Sequence, residues 1–211
     1  FTGKVASHRH VHTVPGKANC IYAETYSYDS LDRLVRVTHQ QDNAPAITLF
    51  ENVYDSLGRL SACVYHGVSS APVTYSYNIR GWLTGIRHPL FSQMLYYTDG
   101  PGRACYNGNI SSMSWKSGNE AVERGYKFMY DGLSRLSDAL YGEGPKLSVN
   151  INRFNEQVTG YDKMGNILGL KRYGQTSATG YDVIDDLSLS YAGNRLKKVA
   201  DRSGTSAFNN G

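Results

Sequence analysis

One short string recurs along this chain and constrains it more than any other feature. Its clearest copy is Tyr54-Asp55-Ser56-Leu57-Gly58-Arg59-Leu60. Asp55 can open a type I turn through its side chain, and Gly58 can take the left-handed φ that closes it. Val53 and Tyr54 lead in; Leu60, Ala62 and Val64 lead out, so strand signals flank the turn. Further copies begin at Tyr28-Asp29, Tyr77-Asn78, Tyr130-Asp131 and Tyr161-Asp162. Two shortened ones are Tyr106-Asn107-Gly108-Asn109-Ile110 and Tyr191-Ala192-Gly193-Asn194-Arg195-Leu196. Asn-Gly between strand residues signals a type I′ hairpin turn. Tyr181 to Leu187 fits loosely, only 10 residues before the next tyrosine, and is left uncertain.

Successive steps between the tyrosines at 28, 54, 77, 106, 130, 161 and 191 are 26, 23, 29, 24, 31 and 30 residues. A period of that size fits one supersecondary unit: two strands, one tight turn and one looser return. The looser returns carry Gly, Pro, Ser and Asn, at 40–45, 67–72, 116–120, 142–145 and 174–180. Residues 89–103 form a longer departure. No window repeats apolar residues at helical spacing for three turns. The expected fold is all-β: antiparallel hairpin repeats, with the tight turns along one edge of the sheet. Seven hairpins are about 14 strands and, at ~4.8 Å each, roughly 65 Å of sheet. Open sheets rarely exceed ~10 strands without curling. We therefore expect the ribbon to coil into an open spiral. Residues 1–25 enter the array, 1–211 form a single array, and the tail 204–211 is expected to fray.

Each repeat position has a physical task. Tyr28, Tyr54, Tyr77, Tyr106, Tyr130, Tyr161 and Tyr191 stack at strand ends, with Tyr26, Tyr75, Phe128 and Leu189 two residues earlier facing the same way. Leu34, Leu60, Leu83, Leu136 and Leu196 follow the turn and pack on those rings. Asp29, Asp55, Asp131 and Asp162 cap the turn; Arg33, Arg59, Arg135 and Arg195 can pair with an Asp of the same or adjacent turn or lie over a Tyr face. Gly58, Gly81, Gly108, Gly165 and Gly193 supply the closing φ. Asp32 and Ser134 stand in that place at a cost of order 1 kcal/mol.

Composition adds bounds. The 22 basic and 18 acidic residues leave +4, with no clustered patch, so nucleic acid is not an expected partner. Cys20, Cys63 and Cys105 have no metal or redox spacing and read as inert thiols. His8, His10 and His12 would share one strand face, read as a solvated row. No cofactor or metal is expected, and the turn aspartates lack the dense acidic spacing of calcium-binding repeats. No nucleophile sits in an elbow such as Gly-x-Ser-x-Gly, so no enzymatic activity is expected. No apolar stretch approaches the ~20 residues of a membrane span. Trp82, Trp115, Tyr96 and Tyr97 are the candidates for stacking on a glycan or a protein partner.

These copies resemble the YD repeats of the Rhs family, and the whole chain is similar to the repeat region of surface-associated Rhs proteins of Gram-negative bacteria. Tyr106-Asn107-Gly108-Asn109-Ile110-Ser111, Met113-Ser114-Trp115 and Gly81-Trp82-Leu83 carry the likeness to that subgroup. The resemblance implies a hollow β-shell, as in insecticidal toxin complexes and teneurins, holding a C-terminal cargo that is often a toxin. It implies an extracellular or cell-surface location and, as partners, neighbouring repeats and the cargo. The chain begins at Phe1 without Met and ends without a terminal core segment or cargo, so it reads as a piece of a longer protein. A cut array exposes sheet edges, and self-association through them is expected.

Overall fold

The computed structural model describes residues 3–204. Among these every regular element is a strand and none is a helix. The chain divides into two units, Phe1–Pro89 and Leu90–Gly211. The first unit holds β1 (Ser7–His12), β2 (Cys20–Tyr28), β3 (Leu34–Gln41), β4 (Ile47–Tyr54), β5 (Leu60–Tyr65), β6 (Val73–Tyr77) and β7 (Leu83–His88). The second holds β8 (Phe91–Tyr96), β9 (Ser112–Ser117), β10 (Arg124–Tyr130), β11 (Leu136–Glu143), β12 (Glu156–Tyr161), β13 (Ile167–Gln175), β14 (Tyr181–Ala192) and β15 (Arg195–Asp201). Within each unit every strand pairs antiparallel with the next in chain order, so each is a meander that does not close on itself. The all-β hairpin array expected from the repeats is the observed one.

Six tight turns join β2–β3, β4–β5, β6–β7, β10–β11, β12–β13 and β14–β15. The repeat tyrosine closes each first strand opposite the residue that follows the turn: Tyr28 faces Leu34, Tyr54 faces Leu60, Tyr77 faces Leu83, Tyr130 faces Leu136, Tyr161 faces Ile167 and Tyr191 faces Leu196. A register shift falls immediately before each of these tyrosines. A β-bulge adds twist and re-aims the next side chain. Here it turns the ring toward the neighbouring hairpin.

Three expectations need correction, and one open candidate is decided. Tyr181 to Leu187 is no turn, because β14 runs straight through it for 12 residues. Residues 89–103 contain a strand, β8. The tract around Tyr106 lies in the long irregular connection between β8 and β9 and is not a tight hairpin turn. A type I′ turn needs left-handed φ at both central residues; Gly108 has it, at 95°, and Asn107 does not. Gly193-Asn194 does make a two-residue turn, but with the left-handed φ of 60° on the first residue alone, the pattern of type II′. The expected frayed tail lies, from residue 205 on, outside the described residues.

In the first unit Val37 and Cys63 are buried and most other apolar side chains are half-buried, as in a sheet with little above it. Cys20 and Cys105 are half-buried and, like Cys63, unbridged. The second unit gains a local core from the long connection 144–155. It folds back so that Leu147 is only 2% exposed. The seat is a cross-strand glycine pair, Gly125 opposite Gly142. A Cβ on Gly125 would lie 2.8 Å from the Leu147 methyls, and one on Gly142 would lie 2.3 Å from the Leu147 carbonyl oxygen.

Candidate functional site: a ladder from turn to turn

Five of the six tight turns are tied by their own acidic or amide residue, Asp29, Asp55, Asn78, Asp131 and Asp162. Asp55 Oδ1 accepts the backbone N–H groups of Leu57 and Arg59, both at 2.9 Å. Its Oδ2 accepts Arg59 Nε at 2.8 Å, and Gly58 N–H donates to the Asp55 carbonyl at 2.9 Å. Asp29 and Asp131 repeat this set with Arg33 and Arg135. Asp162 repeats it with Asn166 in the arginine's place. The backbone N–H of the residue four positions on is the chief force holding the carboxyls of Asp29, Asp55 and Asp131 below the usual range. For Asp162 it is the Asn166 side-chain amide. The closing residue has φ of 80° at Gly58, 78° at Gly81 and 87° at Gly165. Asp32 and Ser134 accept it too, at 59° and 61°, as their place in the repeat requires.

The turns are then joined to one another. The phenols of five repeat tyrosines donate to the carbonyl of the residue that follows the preceding turn or, for Tyr130, the Tyr106 tract. Tyr54 Oη reaches Leu34 O at 2.9 Å, Tyr77 reaches Leu60 O at 2.9 Å, Tyr130 reaches Ile110 O at 2.8 Å, Tyr161 reaches Leu136 O at 2.6 Å and Tyr191 reaches Ile167 O at 2.9 Å. Arginines carry a second connection. The Arg33 guanidinium lies 4.5 Å from the Tyr54 ring centroid, Arg59 4.7 Å from Tyr77 and Arg135 4.3 Å from Tyr161. The guanidinium thus holds its own turn's Asp and covers the next turn's Tyr, two roles expected as alternatives and realised together. The first tyrosine is served the same way by the entry segment: Tyr28 Oη donates to Val5 O at 2.9 Å, and Lys4 Nζ lies 5.8 Å from its ring.

At Tyr130 the arginine is missing. Ile110 accepts the phenol there, so Asn109 occupies the place that Arg33, Arg59 and Arg135 occupy elsewhere. A cleft of about 540 Å³ opens beside it, lined among others by Asn107, Asn109, Tyr130 and Asp131.

The four residues expected to stack on a ligand are divided between the two units. Trp82 belongs to the first unit, with Arg80 at 5.1 Å from its ring. Tyr97 is 8% exposed, too enclosed to present a face. Tyr96 ends β8, half-buried. Trp115 is half-buried and stacks on Tyr126 at 5.7 Å. It starts a row that continues through Tyr141, Phe154 and Tyr181, with centroids 5.7, 5.0 and 5.3 Å apart. Sequence reasoning missed this row because Phe154 comes from the connection 144–155, whose fold no local pattern announces. Burial, then the hydrogen bond to Glu143, push the Tyr141 phenol far above its ordinary value. His8, His10 and His12 lie exposed on β1. Among the described residues no three His, Cys, Asp or Glu side chains are placed to hold a metal ion, and no helix is long and apolar enough to cross a membrane.

No protein-family model matches the chain, and no curated protein matches it. Its fold is similar to part of the crystal structure of TcdB2-TccC3-Cdc42, with a TM-score of 0.69 and 14% identity over 96% of this chain and 11% of that chain. The chain therefore spans about a tenth of the matched chain's length, and at this identity the likeness shows the fold alone. A crystal structure of TcdB2-TccC3 superposes over 82% of this chain and 12% of the other with a TM-score of 0.29 and 10% identity, and carries no argument.

Proposed function

We propose that this chain is a structural segment of a YD-repeat protein of the Rhs kind, forming part of a β-shell that encloses or displays a C-terminal cargo domain, often a toxin. The observation that carries the reading is the ladder. The phenols of Tyr54, Tyr77, Tyr130, Tyr161 and Tyr191 each reach back to the segment before them, so the array lengthens by repetition and these bonding groups go to architecture. A repetitive sheet of this kind serves by extent. The likeness to a chain about nine times longer, in a structure that includes TccC3, supports the same reading. On it the protein works outside the cell or at the surface of a Gram-negative bacterium. Its partners are neighbouring repeats and the enclosed domain, and it catalyses no reaction.

Limited proteolysis of the full-length protein tests this. With the repeats present, the downstream domain should resist cleavage under conditions that digest it when expressed alone. Equal digestion with the repeats present or deleted would end the packaging reading.

A further inference from the structure

The rung at Tyr130 departs from its neighbours in a way that opens space. Elsewhere Arg33, Arg59 and Arg135 cover the rings of Tyr54, Tyr77 and Tyr161, at 4.3 to 4.7 Å from the centroids. Two of these guanidiniums also approach the carbonyl of the residue after that tyrosine. Arg59 Nη1 lies 3.4 Å from Asn78 O, and Arg135 Nη1 lies 3.5 Å from Asp162 O. Each of the three arginines directly precedes the residue whose carbonyl accepts the phenol: Leu34, Leu60 and Leu136. At Tyr130 the acceptor is Ile110, so that place belongs to Asn109, which is short and uncharged. Among the described residues no cation is placed over the Tyr130 ring. The cleft of about 540 Å³ lies there instead, lined by Asn109, Tyr130, Asp131 and others. Its two sides are fixed to each other, by Tyr130 Oη on Ile110 O at 2.8 Å and by Asn107 Nδ2 on Ser134 Oγ at 3.1 Å. Exposed Arg103 also lines it and has no acid partner among the described residues.

We propose that this cleft binds an arginine side chain of a polypeptide segment, with an acidic residue beside that arginine meeting Arg103. The chain's own repetition selects the occupant. A repeat tyrosine ring receives a guanidinium at three other rungs, and the next carbonyl, here that of Asp131, receives it at two. A planar guanidinium stacks on an aromatic face and still donates at its edge, which a compact, strongly hydrated ammonium does less well. The volume exceeds what a guanidinium needs and falls in the range of small-ligand sites, ~300–1,000 Å³. It leaves room for the residues that flank the arginine. The Asp131 carboxylate is already spent on Arg135. Affinity therefore rests on the ring, the carbonyl and Arg103, and is roughly millimolar for a short peptide. This site does not depend on the shell reading.

NMR titration of the isotope-labelled 211-residue chain with the peptide N-acetyl-Glu-Arg-amide tests it. The amide signals of Asn109, Tyr130 and Gly132 should shift and saturate at roughly millimolar peptide. Citrulline in place of the peptide's arginine keeps the shape, removes the charge and should weaken binding about tenfold or more. Glutamine in place of its glutamate should weaken binding to the wild type but not to Arg103→Gln. Tyr130→Phe keeps the ring and should bind as the wild type does, whereas Tyr130→Leu should not bind. Asn109→Arg fills the cleft from within; it should abolish binding and raise the urea midpoint. No shift at about 20 mM peptide, equal binding of the citrulline peptide, or binding that survives in folded Tyr130→Leu or Asn109→Arg would each overturn the proposal. So would a glutamate effect that is absent from the wild type or persists without Arg103.

Discussion

The rung at Tyr161 isolates what one connection contributes. Its phenol donates to Leu136 O at 2.6 Å, and its ring lies 4.3 Å from the Arg135 guanidinium carbon. Tyr161→Phe removes the first and keeps the second. A net hydrogen bond contributes about 0.5–1.5 kcal/mol, and the ring is half-buried, so water can partly replace the donor; a loss near 1 kcal/mol is expected. Tyr161→Leu removes the ring face as well. The Arg135 side chain is 31% exposed, so the cation–π contact belongs at the weaker end, about 0.5–1 kcal/mol. Tyr161→Leu should then cost at least about 1.5 kcal/mol. Crossing it with Arg135→Met should return a coupling of about 0.5 kcal/mol or more. Urea unfolding at constant m reads these values: 1 kcal/mol moves the midpoint by roughly 0.3–1 M. Hydrogen exchange should place the loosening at β10 to β13, leaving β1 to β7 protected as before. If Tyr161→Phe costs as much as Tyr161→Leu, the guanidinium contributes nothing through the ring. If neither shifts the midpoint, the ladder does not hold the array together.

Other perturbations follow from the same geometry. Leu147→Ala should cost about 2–5 kcal/mol by urea unfolding, because the side chain fills the notch at Gly125 and Gly142 and little can collapse into it. Asp32→Gly should stabilise the chain by about 0.5–1 kcal/mol on thermal unfolding, since φ of 59° strains a residue with a Cβ. Acid should loosen the turns. The carboxyls of Asp29, Asp55, Asp131 and Asp162 are held below the ordinary value of 3.8 in the fold. Their stabilisation is complete above that value and is lost as pH falls through the depressed ones. The urea midpoint should hold steady down to about pH 4 and fall below it, and less in a variant carrying Asn at all four positions.

The turns were legible because their chemistry is local. An Asp that accepts N–H groups two and four residues on, and a closing residue with left-handed φ, lie within five residues of sequence. Even Asp32 and Ser134 could be assigned to strained positions. What joins one turn to the next was not legible. The phenol of Tyr54 meets the carbonyl of Leu34, 20 residues away, and a backbone acceptor leaves no mark in the sequence. The bulge that aims the ring is likewise a property of paired strands. Tyr106 misled because Asn-Gly was weighed without its flanks: the connection after β8 makes its own bonds, with Cys105 N–H on Tyr97 O and Ser111 N–H on Tyr96 O. The seat of Leu147 needs glycines on two strands brought opposite each other, which only the finished register does.

The departures from the repeat show which part of the ladder is indispensable. Where Asp stands at 29, 55 and 131, Arg stands four residues on. Where Asn stands, at 78 and 107, that Arg is absent, and Asn78 Oδ1 still accepts the N–H groups of Arg80 and Trp82. The turn therefore needs the acceptor oxygen, not its charge. Charge enters only with a guanidinium to pair it, which avoids leaving a half-buried carboxylate uncompensated. Asp162 is the exception; Asn166 donates to its Oδ2 at 2.8 Å and to Asn194 Oδ1 at 3.2 Å, reaching the next turn without a cation. The phenol-to-carbonyl bond, by contrast, is present at Tyr28, Tyr54, Tyr77, Tyr130, Tyr161 and Tyr191 alike. The ionic contact is optional and the neutral one is the common thread. Ionic strength screens the former and leaves the latter, so an array built on this ladder keeps its cohesion over a wide range of salt.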